Sequence, residues 1–250
     1  MILCSMKQKI RIKRMNYLTK IIDSSINILA KIRRNRKIYP TKDERDGLVK
    51  VNLGCGLRVA KGWLNIDGSL NAMFASWPNW MHKILYRLSG ARQFYSIDQY
   101  CTILENHQFL YHDLSLSLPL YDNTVDFIYS SHFFEHLFKD DAANLLKACA
   151  QALKPGATIR ISIPDLAYAI SLYGQGKRNE MLEDYFFVAG KGSYLARHKY
   201  MYDFDLIKSA LEQAGFSGVT RCEYHQGKTP DIEMLDVYPE ASLFVEATYL

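Results

Sequence analysis

The 250-residue chain is poor in the features that staple small folds or span membranes. Its five cysteines (Cys4, Cys55, Cys101, Cys149, Cys222) are odd in number, scattered, and form no Cys-x-x-Cys pair. Neither a disulfide framework nor a cysteine-based zinc site is expected, and a reducing compartment fits. No run approaches the ~18 uninterrupted apolar residues of a membrane-spanning helix. The opening Met1–Ser5 is too short for a signal-peptide core and runs into Lys7, Lys9, Arg11, Lys13 and Arg14, so a cytoplasmic location is expected. There is no internal repeat and no low-complexity tract. A hydrophobic content of 48% with 23% charged residues excludes a disordered or collagen-like chain. The length suffices for one α/β domain with a real core.

Charge is unevenly placed. Residues 1–42 carry twelve Lys or Arg and one acid, Asp23, whereas residues 43–250 carry a modest excess of acids. The chain thus divides into a basic arm, 1–42, and a domain, 43–250. Within the arm Leu18, Ile21, Ile22, Ile28, Leu29 and Ile32 recur at helical spacing, with charged residues elsewhere around the helix. Two readings follow: a helix packed on the domain, or a helix in peripheral contact with an anionic membrane surface, where each Lys or Arg contributes about 1 kcal/mol. Only charge points to nucleic acid, so none is expected as a partner.

From residue 48 strands and helices alternate. Strands are expected at Leu48–Leu53, Trp63–Ile66, His107–Tyr111, Val125–Tyr129 and Ala157–Ile163, with two more near Val219–Tyr224 and Ser242–Thr248. Helical spacing runs from about Met73 to Leu88, where Pro78 limits the start. A second helix carries Ala142, Leu145, Leu146, Cys149 and Leu153, and Lys154-Pro155-Gly156 stops it. A third carries Leu206, Ile207, Ala210, Leu211 and Ala214, with Asp203 or Asp205 before it and Gly215 after it. This alternation predicts a doubly wound, mostly parallel Rossmann-like sheet of about seven strands, with helices on both faces. Arg160 breaks the pattern, because a central parallel strand should be apolar on both faces.

The chemistry concentrates at strand ends. Val51-Asn52-Leu53-Gly54-Cys55-Gly56 is a strand entering a glycine turn, where backbone N–H groups can approach a ligand. Asp67 closes the second strand, where a carboxylate can accept ribose hydroxyls. The nicotinamide fingerprint fits poorly, since Asp67 follows Gly56 by only 11 residues. No Gly-Lys-Ser/Thr is present, which excludes a P-loop.

These strings, with Gly62-Trp63-Leu64-Asn65-Ile66-Asp67, Asp113-Leu114, Ser130-Ser131-His132, Glu135-His136-Leu137, Leu153-Lys154-Pro155-Gly156 and Leu211 to Phe216, resemble class I S-adenosylmethionine-dependent methyltransferases. The short Gly-to-Asp67 interval and the Gly62–Asp67 string resemble a bacterial subfamily associated with surface-sugar and small-molecule pathways. The resemblance covers roughly residues 48–250. It implies S-adenosyl-L-methionine as cofactor, held by Asn52, Leu53, Gly54, Cys55, Gly56, Asp67, Asp113, Leu114, Ser130 and Ser131. Asp67 would take the ribose hydroxyls, Asp113 would face the adenine amine, and Leu114 would lie beside the ring. Arg58 replaces the usual third glycine, so the first helix must be very short.

A hydroxyl acceptor calls for in-line positioning and a general base of suitable pKa. The candidates are His132, then Asp165 after the fifth strand, then His198. Each also has a structural reading: His132 as a hydrogen-bond partner of the cofactor, Asp165 as a helix cap, His198 as a surface residue. The expected activity is methyl transfer to a small-molecule acceptor, a hydroxyl of a sugar or related metabolite, in a pocket walled by insertions near residues 69–100 and 166–202. One alternative is a catalytically silent cofactor-binding protein docked through its arm. Another is a zinc hydrolase, because His132-Phe133-Phe134-Glu135-His136 matches His-x-x-Glu-His. His132 falls at a strand end, which separates the two imidazoles, so no metal is expected in the site.

Overall fold

A computed structural model describes residues 35–88, 90–186 and 197–250. The basic arm before residue 35, with its expected helix, lies outside the described residues. The end of the arm is docked on the domain: Ile38 bridges to Leu120, Tyr39 stacks on Tyr121 at 4.2 Å, and Lys37 pairs with Asp122 at 3.0 Å.

Seven strands form one sheet: β1 (Lys50–Leu53), β2 (Trp63–Asp67), β3 (Gln108–Tyr111), β4 (Val125–Ser131), β5 (Leu153–Pro164), β6 (Phe216–Cys222) and β7 (Ser242–Tyr249). Their spatial order is β3-β2-β1-β4-β5-β7-β6, and β7 runs opposite to the other six. The expected doubly wound sheet is therefore present. Its order reverses beside β1, where the chain leaves one half of the sheet for β4, and the ends of β1 and β4 open a crevice there.

The helices are α1 (Leu70–Phe74), α2 (Asn79–Leu88), α3 (Ile97–Asn106), α4 (Lys139–Ala152), α5 (Leu166–Gly174), α6 (Arg178–Met181), α7 (Phe204–Gln213) and α8 (Ile232–Leu235). On one face of the sheet Leu145, Leu146 and Cys149 of α4 and Ile207 and Leu211 of α7 meet Val51, Leu53, Ile128, Ile159 and Val245. The other face is more polar. There Trp63 and Tyr129 pack with Leu235, and the buried Asn52 amide donates to Asn65 Oδ1 at 3.0 Å.

Three expectations change. The single helix of 73–88 is two, because Pro78 lacks the N–H that a continuous helix needs, and α2 begins only at Asn79. Segment 69–100 is not simply an insertion, since α1 to α3 make the crossover from β2 to β3. Helix α3 was signalled by Ser96-x-x-Gln99: the Ser96 side chain accepts from the Gln99 N–H while the Gln99 side chain accepts from the Ser96 N–H. Finally, Lys154-Pro155-Gly156 does not separate helix from strand, because β5 already starts at Leu153, which pairs with Val125 across a register shift.

Arg160 finds its place through β7. It sits opposite Glu246 in the ladder, is fully buried, and forms a two-point pair with Asp236 through Nε (3.1 Å) and Nη2 (2.6 Å). Nη1 also reaches Glu246 at 3.3 Å and the Gln226 carbonyl at 2.8 Å. The Tyr129 hydroxyl donates to the same Asp236 at 3.0 Å. This network ties β4, β5 and β7 to the loop after β6, and so fixes Val237 and Tyr238 against the crevice.

Candidate functional site

At the carboxyl ends of β1 and β4 lies a cleft of about 560 Å³, within the range of small-molecule sites. Its floor is Asn52 and the glycine turn 54–56, one wall is Ser131 and His132, and its rim carries Phe94, Tyr95 and Tyr238. The turn depends on glycine. Gly54 and Gly56 both have positive φ (63° and 53°), and a Cβ on Gly54 would overlap the Phe133 ring. Around Gly56 the space for a Cβ is open, which leaves the backbone accessible from the cleft.

Asp67 braces this turn. Its Oδ2 accepts from the Gly56 N–H at 2.8 Å, and its Oδ1 accepts from the Ser69 N–H at 2.7 Å. Each oxygen keeps a further lone pair for a ligand hydroxyl. Asp113 lies two residues beyond the end of β3, whose last residue Tyr111 pairs with Asp67, and its Oδ1 accepts from the Ser115 N–H and hydroxyl. Asn52, Gly54, Cys55, Gly56 and Ser131 thus meet at the cleft, with Asp67 directly behind them. Leu53, Leu114 and Ser130 face inward instead: the leucines join the main core, and the Ser130 hydroxyl donates to the Leu53 carbonyl at 3.1 Å. Leu114 is therefore a core residue and does not line the cleft.

Of the three candidate bases His132 lines the cleft, whereas His198 and Asp165 do not. His132 has left-handed backbone (φ 49°), which turns its side chain out of β4. Its Nε2 lies 2.8 Å from Ser242 Oγ and its Nδ1 3.5 Å from Glu135 Oε1. His198 lies against His136, with ring centroids 5.0 Å apart, on the far side of Glu135. Burial pushes the Glu135 carboxyl up to about 8. Burial, with His198 and His136 nearby, holds His132 down to about 4, and burial also lowers His136 and His198.

Asp165 has a different job. Its Oδ1 caps α5 by accepting from the Ala167 N–H at 2.9 Å, and its Oδ2 pairs with Arg221 at 2.8 Å. Both oxygens are committed away from the cleft, so Asp165 is a helix cap. The peptidase reading of His-x-x-Glu-His also loses its geometry. His132 follows β4, Glu135 and His136 occupy a short 3₁₀ turn, and the two histidines do not share a helix face.

Of the expected pocket walls, segment 69–100 contributes Phe94 and Tyr95, but the described part of 166–202 contributes no cleft residue. Val237 and Tyr238 take that place. Nothing local in the sequence marks them, because the buried Arg160–Asp236 pair over 76 positions brings them in.

Residues 81–161 match a family described as a methyltransferase domain. The match spans Asp113, Ser130–His136, α4 and most of β5, and begins after the glycine turn. Nothing among curated proteins matches the chain. Solved structures with a similar fold include a SAM-dependent methyltransferase of Thermotoga maritima, described as a possible histamine N-methyltransferase. It is 14% identical with a TM-score of 0.47, over 81% of this chain and 82% of that one. A SAM-dependent methyltransferase of Archaeoglobus fulgidus is 14% identical with a TM-score of 0.46, over 92% and 93%. One of Aquifex aeolicus is 17% identical with a TM-score of 0.44, over 91% and 98%. Residues 81–161 thus carry the methyltransferase-domain match, on a seven-stranded, mostly parallel sheet.

Proposed function

We propose that the protein transfers a methyl group from S-adenosylmethionine to a hydroxyl of a small-molecule acceptor, a sugar or a related metabolite. The observation that carries this reading is the meeting of the glycine turn, braced by Asp67, with His132 in one cleft. When bound, the cofactor supplies a methyl group already activated on a sulfonium. The turn's backbone and the Asp67 lone pairs hold it, and the chain's main task is alignment. His132 is the proton acceptor in this reading. Burial leaves it unprotonated at neutral pH, though a weaker base than a free imidazole, and Ser242 and Glu135 flank its two nitrogens. Phe94 and Tyr238, largely exposed at the rim, offer ring faces on which a sugar can stack.

Calorimetric titration with S-adenosylmethionine tests the first half. Wild type should show saturable binding that Asp67→Ala removes; absence of binding by folded wild type would refute it. Labelled-methyl transfer to a panel of sugars and sugar nucleotides tests the second half. His132→Ala should lose roughly 10²–10⁴-fold in kcat with cofactor affinity little changed. Transfer to nitrogen acceptors alone would overturn the choice of hydroxyl.

A further inference from the structure

Glu135 is the most anomalous side chain outside the cofactor cleft. It is 1% exposed, and among the described residues neither carboxylate oxygen meets a hydrogen-bond donor on another residue. A buried carboxylate without donors is costly, and native structures rarely leave one so. Its neighbours are imidazoles: His136 Nε2 stands 3.8 Å from Oε1, and His132 Nδ1 stands 3.5 Å away on the side of the cleft. One ligand atom each from Glu135, His136 and His198 fall within 4.8 Å of one another.

The outer hydrogen bonds decide what those imidazoles offer. His136 Nδ1 lies 3.2 Å from the Arg197 carbonyl and His198 Nδ1 lies 2.6 Å from the Tyr185 carbonyl. A carbonyl can only accept, so each Nδ1 carries the proton and each Nε2 is left as a lone pair. Neither imidazole therefore has an Nε2 proton to give the Glu135 carboxyl, which is left to hold a proton of its own or a cation. A backbone carbonyl on the outer nitrogen is also the usual support of a metal-bound histidine, because it fixes tautomer and ring orientation. The frame is braced as well, since the Lys199 and Tyr200 N–H groups donate to the Glu135 carbonyl at 2.7 and 3.3 Å.

We propose that Glu135, His136 and His198 bind a divalent first-row transition-metal ion of the zinc type. Two imidazoles and a carboxylate suit such an ion better than magnesium or calcium, which prefer all-oxygen shells. The site differs from a His-x-x-Glu-His peptidase centre. Glu135 serves as a ligand and not as a base, and one histidine comes from 62 positions further along the chain. The partly exposed His136 and His198 leave a route for entry. The site stands independently of the methyl-transfer reading, and metal binding is measured without cofactor or acceptor.

The test uses the full chain, free of any histidine tag and stripped with chelator. Zinc is titrated against a chromogenic competitor, and cobalt(II) is followed by its visible absorption. Wild type should bind one equivalent at micromolar or tighter Kd, with cobalt bands of a low-coordinate nitrogen/oxygen site and a rise in Tm. Glu135→Gln, which keeps the shape, and His198→Ala should each weaken binding at least tenfold, whereas His107→Ala should not. Circular dichroism establishes that the variants fold. If a variant does not fold, X-ray absorption on the zinc-loaded wild type takes its place, and imidazole scattering without sulfur is expected. Less than about 0.2 equivalents bound by folded wild type, equal affinity in both variants, or sulfur in the first shell would overturn the proposal. The first of these outcomes would mean that a proton alone resolves the buried carboxylate.

Discussion

Replacing Arg160 by methionine should destabilise the domain severely and specifically. The substitution nearly conserves volume, so no large cavity opens, but it removes the cation shared by two carboxylates. Asp236 has no exposed side-chain surface and Glu246 has 7%. Each retains other donors: Tyr129 Oη and the His225 N–H for Asp236, the Lys228 and Thr229 N–H groups for Glu246. Those donors cannot neutralise two charges in one buried site. Removing one partner of such a pair costs about 3–5 kcal/mol. That is a large share of the roughly 5–15 kcal/mol that holds a domain together. At about 2–4 °C per kcal/mol for a chain of this size, Tm should fall by roughly 6–20 °C. Urea unfolding followed by circular dichroism gives the free energy, and thermal melts give Tm. The decisive comparison is Arg160→Met combined with Asp236→Leu, which removes the abandoned charge nearest the cation. The double variant should be more stable than Arg160→Met alone. A single-variant loss below about 1 kcal/mol, or a double variant at the sum of the two single losses, would refute the reasoning.

Three other outcomes follow from the geometry. Gly54→Ala should weaken S-adenosylmethionine binding and lower Tm, because the new methyl meets the Phe133 ring and a positive φ costs about 1–2 kcal/mol; calorimetry showing wild-type affinity would contradict this. Asp165→Ala should lose about 0.5–2 kcal/mol as a helix cap and leave methyl transfer intact, whereas an activity loss without a stability loss would restore its catalytic role. The Arg45 guanidinium, with Lys50 behind it, holds the Asp43 carboxyl well below the usual carboxylate range. A depressed folded pKa stabilises above the unfolded value of about 4 and is lost as pH falls below it. Tm of wild type should therefore drop more steeply from pH 5 to 2.5 than that of Asp43→Asn, and parallel curves would exclude Asp43 as the cause.

Much of this protein was determined locally. The period of the apolar residues and the glycine and proline punctuation were enough for the strand–helix alternation and the sheet class. The Gly54–Gly56 turn and Asp67 were legible because backbone conformation and a strand-end carboxylate are short-range features. What tertiary structure decided was every partnership across long separations. Helix α3 was marked by its own capping box, yet its place in the β2–β3 crossover emerged only from packing. Arg160 looked misplaced in its strand until β7 set Glu246 opposite it and the loop after β6 delivered Asp236. That pairing brought Tyr238 to the cleft, where no pattern announced it. Asp165 carries the same carboxyl as Asp67, and only the positions of Ala167 and Arg221 made it a cap. His136 and His198 are 62 residues apart, and their convergence on Glu135 depends on a backbone carbonyl that accepts from residues 199 and 200. Local chemistry sets what each residue can do. Which charges and lone pairs share one low-dielectric site depends on distances that the linear chain does not contain.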